Sequence, residues 1–245
     1  MNYNGGVILF FNKYRFIAHR GLHSRKFNIP ENSIPAFLKS VSKNYAIELD
    51  IQMSSDGEIV VFHDKDLERM TGVRGRVSDF TLPELKGFML SNSNCEIPTL
   101  SEVLRLVGGR VPILIELKNN RFLGKMEKKL IQILEGYRGD YAIQSFNPLV
   151  LLWFRFYASY IKRGQIVSRN NIFLLNKILL KYTIKPDFIS CRYNEVNYDL
   201  YKKCKNIGIP LICWTIKTIK DLEKLKIFCN AFIFEDIGEF IKCIK

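Results

Sequence analysis

Short apolar, strand-like runs alternate with helix-like segments along the whole chain, and this alternation constrains the fold more than any other feature. The predicted strands are Arg15–His19, Ala46–Ile51, Pro112–Lys118, Tyr141–Phe146, Gln165–Ser168, Asp187–Cys191, Pro210–Thr215 and Ala231–Phe234. The predicted helices lie near residues 33–43, 100–107, 124–137, 148–162, 171–182, 197–206, 218–227 and 238–244. Eight strands, each followed by a helix, in a chain of 245 residues predict an α/β fold of the TIM-type (β/α)8 barrel class.

One interval is much longer than a usual loop between a strand and a helix. Residues 52–99 separate the second predicted strand from the second predicted helix. They hold a strand-like run at Ile59–Phe62, a turn at Asp56-Gly57 and a helix start at Thr81. We therefore predict a small insertion on the face of the barrel where the strands end. Because the alternation resumes directly afterwards, the sequence favours one domain over residues 1–245 rather than two.

The composition excludes several classes of protein. A hydrophobic content of 47% with scattered charge excludes a largely disordered chain. No apolar stretch approaches the roughly 18 residues of a membrane span. The run Val7–Phe11 is too short for a signal peptide, so we expect a cytoplasmic protein. The six cysteines lack CxxC spacing, so we expect reduced, structural thiols rather than a zinc site.

The net charge of +13 is concentrated in part in residues 151–186, which carry seven Lys or Arg and no acid. The same segment holds the aromatic residues Trp153, Phe154, Phe156, Tyr157, Tyr160 and Phe173. One interpretation is peripheral contact with an anionic membrane. The other is a pair of barrel helices with apolar faces inward and basic side chains outward. No nucleic-acid-binding motif accompanies the charge, so no nucleic-acid partner is predicted.

Acidic side chains follow a two-residue spacing at the ends of two predicted strands. Glu48 and Asp50 lie two apart near the end of the second strand, and Glu116 and Lys118 lie two apart at the end of the third. Residues with this spacing project to the same side of a strand, and catalytic groups of a barrel gather where its strands end. Three converging carboxylates predict a site for a hard divalent cation, Mg²⁺ or Ca²⁺.

Two of the three histidines lie beside these acids in the predicted fold. His19 ends the first strand, and His63 follows the strand-like run of the insertion. Imidazoles suit general acid and base catalysis because their ordinary pKa lies near neutrality. Arg20 and Lys118 are suited to binding the non-bridging oxygens of a phosphate. The residues together indicate metal-assisted chemistry on a phosphate ester, and we leave His23 outside this site.

Several longer motifs have the order and spacing of a known family. They are the segments 19–21 (HRG), 30–33 (PENS), 48–57 (ELDIQMSSDG), 60–64 (VVFHD), 67–72 (LERMTG), 97–100 (IPTL), 115–118 (IELK), 144–146 (QSF) and 213–215 (CWT). By these motifs the chain resembles the glycerophosphodiester phosphodiesterases, which are relatives of the phosphatidylinositol-phospholipase-C-like barrel enzymes. The resemblance is close over roughly residues 15–146 and looser over the rest.

The resemblance implies a barrel with an insertion between its second strand and second helix. It also implies divalent-metal-dependent hydrolysis of deacylated phospholipids, which are small glycerophosphodiesters, to glycerol 3-phosphate and an alcohol. The roles that it implies are His19 and His63 as catalytic pair, Glu48, Asp50 and Glu116 as metal ligands, Arg20 and Lys118 as phosphate contacts, Glu31 and Asn32 as support around His19, and Trp214 as an apolar wall. For Trp214, a plain core aromatic is the other interpretation.

The second half departs from the family pattern. Where the family usually has Trp-Thr-Val-Asn, this chain has Lys217 in the last position, and where it usually has Thr-Asp-x-Pro, the chain reads Glu235-Asp236-Ile237-Gly238. Lys217 is either a contact for an anionic head group or simply an exposed lysine. The first nucleophile is either a glycerol hydroxyl, which would give a cyclic phosphate, or water. Two alternative functions stay open: a phospholipase D acting on lysophospholipids, and a non-catalytic phosphate-binding barrel.

Overall fold

The computed structural model describes residues 14–118, 123–168 and 183–236. The contacts divide the chain into two compact units. The insertion unit comprises residues 20–140, and the six-strand unit comprises residues 1–19 together with 141–245. The predicted helices at 171–182 and 238–244 lie outside the described residues.

The described residues form strands and helices in alternation. The strands are β1 (Phe16–Ala18), β2 (Ala46–Met53), β3 (Ile59–Val61), β4 (Ile113–Leu117), β5 (Tyr141–Ser145), β6 (Arg163–Val167), β7 (Phe188–Arg192), β8 (Leu211–Ile216) and β9 (Ala231–Phe234). The α-helices are α1 (Ile34–Ser42), α2 (Glu68–Thr71), α3 (Leu82–Lys86), α4 (Leu100–Val107), α5 (Lys125–Glu135), α6 (Pro148–Tyr157), α7 (Tyr198–Ile207) and α8 (Ile219–Leu225).

In the insertion unit, β2 is the central strand. It pairs in parallel with β4, so that Asp50 lies opposite Glu116, and antiparallel with β3, so that Gln52 lies opposite Val60. β3 and the short helices α2 and α3 belong to the segment between β2 and α4, which is the predicted insertion. This segment has its own apolar cluster, formed by Val60, Phe62, Leu67, Met70, Val77, Leu85, Leu90 and Ile97. Burial of that cluster holds β3 in place, so the insertion is packed structure and not a long loop.

The six-strand unit is a parallel sheet in the order β1-β9-β8-β7-β6-β5. Its strands read as nearly continuous apolar runs, as expected for a parallel sheet whose two faces are both covered. Across the chain, the described residues supply eight parallel strands, and β3 is the antiparallel ninth. Eight parallel strands with intervening helices are the strand complement of a (β/α)8 barrel.

Local sequence signals account for where the helices begin. The Ser33 hydroxyl accepts from the Ala36 N–H at the start of α1, and Thr99 forms a capping box with Glu102 at the start of α4. The Asn147 side chain caps α6 in the same way by accepting from Leu149. The predicted bounds agree with the structure to within a few residues, with one clear exception. The helix predicted over 148–162 ends at Tyr157, because Ala158 leaves the helical conformation and β6 begins at Arg163.

Gly21 explains how the chain turns out of β1 towards α1. Its φ is +76°, and a Cβ at this position would lie 2.9 Å from the Ala36 backbone carbonyl carbon. Only glycine combines a left-handed backbone with so close an approach. The preceding Arg20 also has a left-handed backbone, with φ of +54°. Within the described residues, no helix is long and apolar enough to cross a membrane.

Candidate active site

Three carboxylates converge in the insertion unit. Glu48 and Asp50 lie on β2 and Glu116 lies on β4, and each of the three side chains is buried. One oxygen from each carboxylate lies within 4.8 Å of the oxygens of the other two. The structure thus brings together the three acids predicted from the strand spacing, and we call them the acidic trio.

The electrostatics of the acidic trio indicate a need for a positive charge. Burial raises the pKa of Glu48 well above its ordinary value, and repulsion from Asp50 and Glu116 adds to the effect. Burial also raises the pKa of Glu116 to about 7, against the attraction of Lys118. The acidic trio offers only oxygen ligands, which lie close together and are shielded from water. Such a set of ligands suits a hard divalent cation. The acidic trio therefore fits the predicted metal site.

Lys118 and Arg20 lie beside the acidic trio. The Nζ of Lys118 is 3.0 Å from Oδ1 of Asp50 and 2.5 Å from Oε1 of Glu116. Burial lowers the pKa of Lys118, but the attraction of these two carboxylates outweighs it, so that the lysine stays charged. The backbone N–H of Arg20 donates to Oε2 of Glu48 at 3.0 Å, and its Nε lies 3.5 Å from Oδ2 of Asp50. Both predicted phosphate contacts thus border the acids.

Glu31 and Asn32 hold neighbours of the acidic trio in position. The Asn32 amide donates to Oδ2 of Asp50 at 2.9 Å, and Glu31 accepts from the Arg20 guanidinium at 2.7 Å. The sequence predicted that both residues support His19. Their contacts are with Asp50, Arg20 and Arg69, and support of His19 stays a prediction.

His63 belongs to a chain of hydrogen bonds within the insertion unit. Its Nδ1 donates to Oδ1 of Asp64 at 2.6 Å, and Arg69 binds both Asp64 and Glu31. A carboxylate only accepts hydrogen bonds, so Nδ1 carries the proton and Nε2 is the ring nitrogen available for chemistry. Burial lowers the pKa of His63, against the attraction of Asp50. Burial therefore favours the neutral form of the His63 imidazole.

Glu31, His63 and Asp64 also offer three ligand atoms within 4.8 Å of one another. The guanidinium of Arg69 already bridges the two carboxylates, with its Nη2 2.6 Å from Oε1 of Glu31. Arg69 thus neutralises both carboxylates of this cluster, whereas in the acidic trio Lys118 contacts Asp50 and Glu116 but not Glu48. Asp64 and Arg69 were not predicted as site residues, although both lie inside the motifs at 60–64 and 67–72.

His19 lies in the six-strand unit, directly after β1. Its backbone N–H donates to the Phe234 carbonyl at 3.1 Å, and its Nδ1 donates to Oε1 of Glu235. The second oxygen of Glu235 lies 2.6 Å from the Nζ of Lys217. Burial raises the pKa of Glu235, but His19 and Lys217 together bring it well below its ordinary value. From the sequence, Lys217 was interpreted as a head-group contact or an exposed lysine, and its link to His19 through Glu235 was not predicted, because residues so far apart in the chain show no common signal.

Trp214 lies on β8 in the same unit. Its ring packs edge-to-face on Phe146 at 5.8 Å between centroids, and the guanidinium of Arg192 lies 5.9 Å from the ring centre. The ring is only partly buried. It is therefore not a plain core aromatic, and part of its surface can contact a ligand.

The chain is similar to known proteins over most of its length. The model of the glycerophosphoryl diester phosphodiesterase family matches residues 19–238. A glycerophosphodiester phosphodiesterase from Caldanaerobacter subterraneus subsp. tengcongensis is 31% identical over 243 residues, which cover 94% of this chain and 97% of that protein.

Two solved structures show the same fold. A phosphodiesterase from Oleispira antarctica, in complex with the product sn-glycerol-3-phosphate, has a TM-score of 0.83 and 22% identity, and the match covers 94% of this chain and 95% of that one. A glycerophosphodiester phosphodiesterase from Thermotoga maritima has a TM-score of 0.77 and 24% identity, covering 94% and 98%. They confirm the predicted TIM-type (β/α)8 barrel, and the fold and the acidic trio define the class as barrel phosphodiesterases. The chain belongs to the glycerophosphoryl diester phosphodiesterase family.

Proposed function

We propose that this enzyme hydrolyses small glycerophosphodiesters to glycerol 3-phosphate and an alcohol, with Mg²⁺ or Ca²⁺ as cofactor. The observation that carries the proposal is the acidic trio, whose three buried carboxylates lie within 4.8 Å of one another beside Lys118 and Arg20. Membership of the family supplies the substrate class. The alternative of a non-catalytic phosphate-binding barrel would require the loss of an essential group, and each proposed group is present.

The proposed binding roles follow from position and charge. Glu48, Asp50 and Glu116 would hold the cation, which when bound neutralises charge that develops on the phosphate. Arg20 and Lys118, both at the edge of the acidic trio, would bind non-bridging phosphate oxygens. Asn32 keeps Asp50 in place through its 2.9 Å hydrogen bond. Trp214 would cover the glycerol or the alcohol portion with the exposed part of its ring.

The proposed proton transfers use the Nε2 atoms of the two histidines, because Asp64 and Glu235 occupy the Nδ1 atoms. One histidine removes the proton from the attacking oxygen, and the other protonates the oxygen of the leaving alcohol. His63, whose neutral form is favoured by burial, suits the role of base. Attack by a glycerol hydroxyl and attack by water both need the same pair of groups.

The only support in the sequence for a lysophospholipid substrate was segment 151–186, of which the structure describes residues 151–168 and 183–186. Phe156, Tyr157 and Tyr160 are exposed there, but they lie at or after the end of α6. Because α6 starts where β5 ends and runs back along the strands, these aromatics lie away from the strand ends that carry His19 and Trp214. The cations in this segment that have described contacts, Arg155, Lys162 and Arg163, bind backbone carbonyls or Asp187.

The substrate preference can be tested directly. We expect purified protein to release glycerol 3-phosphate from glycerophosphocholine with a kcat/KM at least roughly tenfold above that for lysophosphatidylcholine, because the exposed aromatics Phe156, Tyr157 and Tyr160 lie away from the strand ends that carry His19 and Trp214. Activity should be lost after chelation and should return with Mg²⁺ or Ca²⁺, and the stronger activator identifies the cofactor. Hydrolysis of the lysophospholipid alone would establish the phospholipase D alternative. A protein inert on both, with Mg²⁺, Ca²⁺ and Mn²⁺ each supplied, would establish the non-catalytic one.

Three sequence predictions stay predictions: peripheral membrane contact through segment 151–186, one domain over residues 1–245, and a cytoplasmic location. The first has a simple test. Electrostatic contact predicts binding to vesicles of anionic phosphatidylglycerol at low salt that is lost at high salt. If the protein fails to sediment with such vesicles even at low salt, membrane contact through this segment is excluded.

A further inference from the structure

Three charged or titratable residues follow directly after three neighbouring strands of the six-strand unit. His19 follows β1, Glu235 follows β9 and Lys217 follows β8. The sheet order β1-β9-β8 places the ends of these strands side by side, with β9 in the middle. Glu235, the residue in the middle, uses one carboxylate oxygen for His19 and the other for Lys217.

We propose that Lys217 is a positioning residue for His19, which it orients through Glu235. The proposal rests on the proposed catalytic role of His19. In this arrangement Lys217 touches neither substrate nor reacting atoms, and its effect passes through one carboxylate.

The geometry of Glu235 explains why a second partner matters. A glutamate side chain has three rotatable bonds, so a single hydrogen bond to His19 leaves it several competing rotamers. The ion pair to Lys217 at 2.6 Å removes this freedom by fixing the second oxygen. The backbone is fixed as well, because the Glu235 N–H donates to the carbonyl of Ile216 at 3.0 Å, next to Lys217.

The burial pattern separates this pair from an ordinary surface ion pair. The side chain of Glu235 is 11% exposed, whereas that of Lys217 is 59% exposed. Lys217 thus extends from the surface to a carboxylate that is mostly shielded from water. Because the same carboxylate accepts from Nδ1 of His19, the ion pair also orients His19. His63 has the same arrangement in the insertion unit, where Asp64 accepts from Nδ1 and is itself held by Arg69.

The chemical consequence is a fixed tautomer. Glu235 accepts the proton on Nδ1 of His19, so Nε2 is left for proton transfer. When Lys217 is absent, Glu235 can turn away, and His19 then samples the other tautomer and other ring orientations. This loss would slow proton transfer and leave substrate binding largely intact.

The kinetic test compares three variants in the metal-loaded enzyme with glycerophosphocholine. Lys217→Met should lower kcat by about tenfold with KM within about twofold, the size of effect typical when the partner of a functional histidine is lost. Lys217→Arg, which keeps the cation, should recover kcat to within about threefold of wild type. Lys220→Met removes the same charge from an exposed lysine on α8 and should leave kcat unchanged.

The spectroscopic test needs no catalysis. With three histidines in the chain, ¹⁵N chemical shifts of the ring nitrogens can be assigned individually. His19 should be mainly the Nδ1–H tautomer in wild type, Lys217→Arg and Lys220→Met, and a tautomer mixture in Lys217→Met. An unchanged tautomer and unchanged kcat in Lys217→Met would overturn the proposal. If the tautomer shifts as expected but wild type hydrolyses no glycerophosphodiester, the proposed function fails and the positioning role stands.

Discussion

His63→Ala should lower kcat for glycerophosphocholine by roughly 10³-fold, within the range of about 10²–10⁴ expected for loss of a general acid or base. The imidazole is held through Nδ1 by Asp64, so its Nε2 is the group lost to catalysis. Its side chain is 31% exposed, so truncation leaves no closed cavity and the fold should persist. The measurement is kcat at saturating metal, with thermal unfolding recorded on the same samples.

His23→Ala is the matched control for this experiment. His23 lies in the same unit, and we place it outside the proposed site. Its variant should keep kcat within about threefold of wild type, since it removes no proton-transfer group. If His63→Ala loses no more activity than His23→Ala, His63 has no part in the mechanism.

Glu48→Gln should weaken metal binding and should stabilise the metal-free protein. A neutral amide binds a hard cation less well than a carboxylate does, so the metal concentration for half-maximal activity should rise at least about tenfold. The metal-free variant should nevertheless unfold at a higher temperature than wild type at pH 7. Burial and repulsion raise the pKa of Glu48 above its ordinary 4.5, so its ionised form destabilises the fold.

The sign of this effect follows from linkage. The pKa of Glu48 is higher in the folded state than in the unfolded state, so the contribution of Glu48 to stability is most favourable below pH 4.5. This contribution is lost as the pH rises towards the folded-state pKa. Glutamine does not ionise, so the Glu48→Gln variant does not lose this stability as the pH rises. Thermal unfolding with chelator and with Mg²⁺ measures both effects, and the gain in unfolding temperature from Mg²⁺ should shrink in the variant.

Glu58→Gln provides the control for Glu48→Gln. Glu58 is 41% exposed and pairs with Lys129 at 2.7 Å, outside the acidic trio. Its substitution should change neither the metal requirement nor the stability of the metal-free protein by much, because exposed ion pairs contribute little. An unchanged metal requirement in Glu48→Gln, equal to that of Glu58→Gln, would show that Glu48 is no ligand.

The acidic trio could be predicted from the sequence because its signal is local. Glu48 and Asp50 alternate with buried residues on one strand, and Glu116 stands in an equally apolar run. An acid inside such a run has a cost unless it is paired, so it stands out against the core. The insertion was equally visible, because it interrupts a regular alternation of strands and helices.

The partner of His19 and the link from Arg69 to Glu31 could not be predicted, because both depend on contacts between residues that are distant in the chain, whereas the partner of His63, Asp64, is the next residue. Glu235 lies 216 residues from His19, and Arg69 lies 38 residues from Glu31. Nothing in the local sequence distinguishes these charged residues from exposed ones. The neighbouring positions of β1 and β9 in the sheet bring Glu235 to His19, and the packing of the insertion brings Arg69 to Glu31.

If the acidic trio holds the catalytic cation, anomalous scattering from crystals grown with Mn²⁺ should locate it there. We expect one strong peak at about 2.2 Å from a carboxylate oxygen of each of Glu48, Asp50 and Glu116, between the distances typical of Mg²⁺ and Ca²⁺. A peak at Glu31, His63 and Asp64 instead, or no peak at the trio with Mn²⁺ in excess, would contradict it.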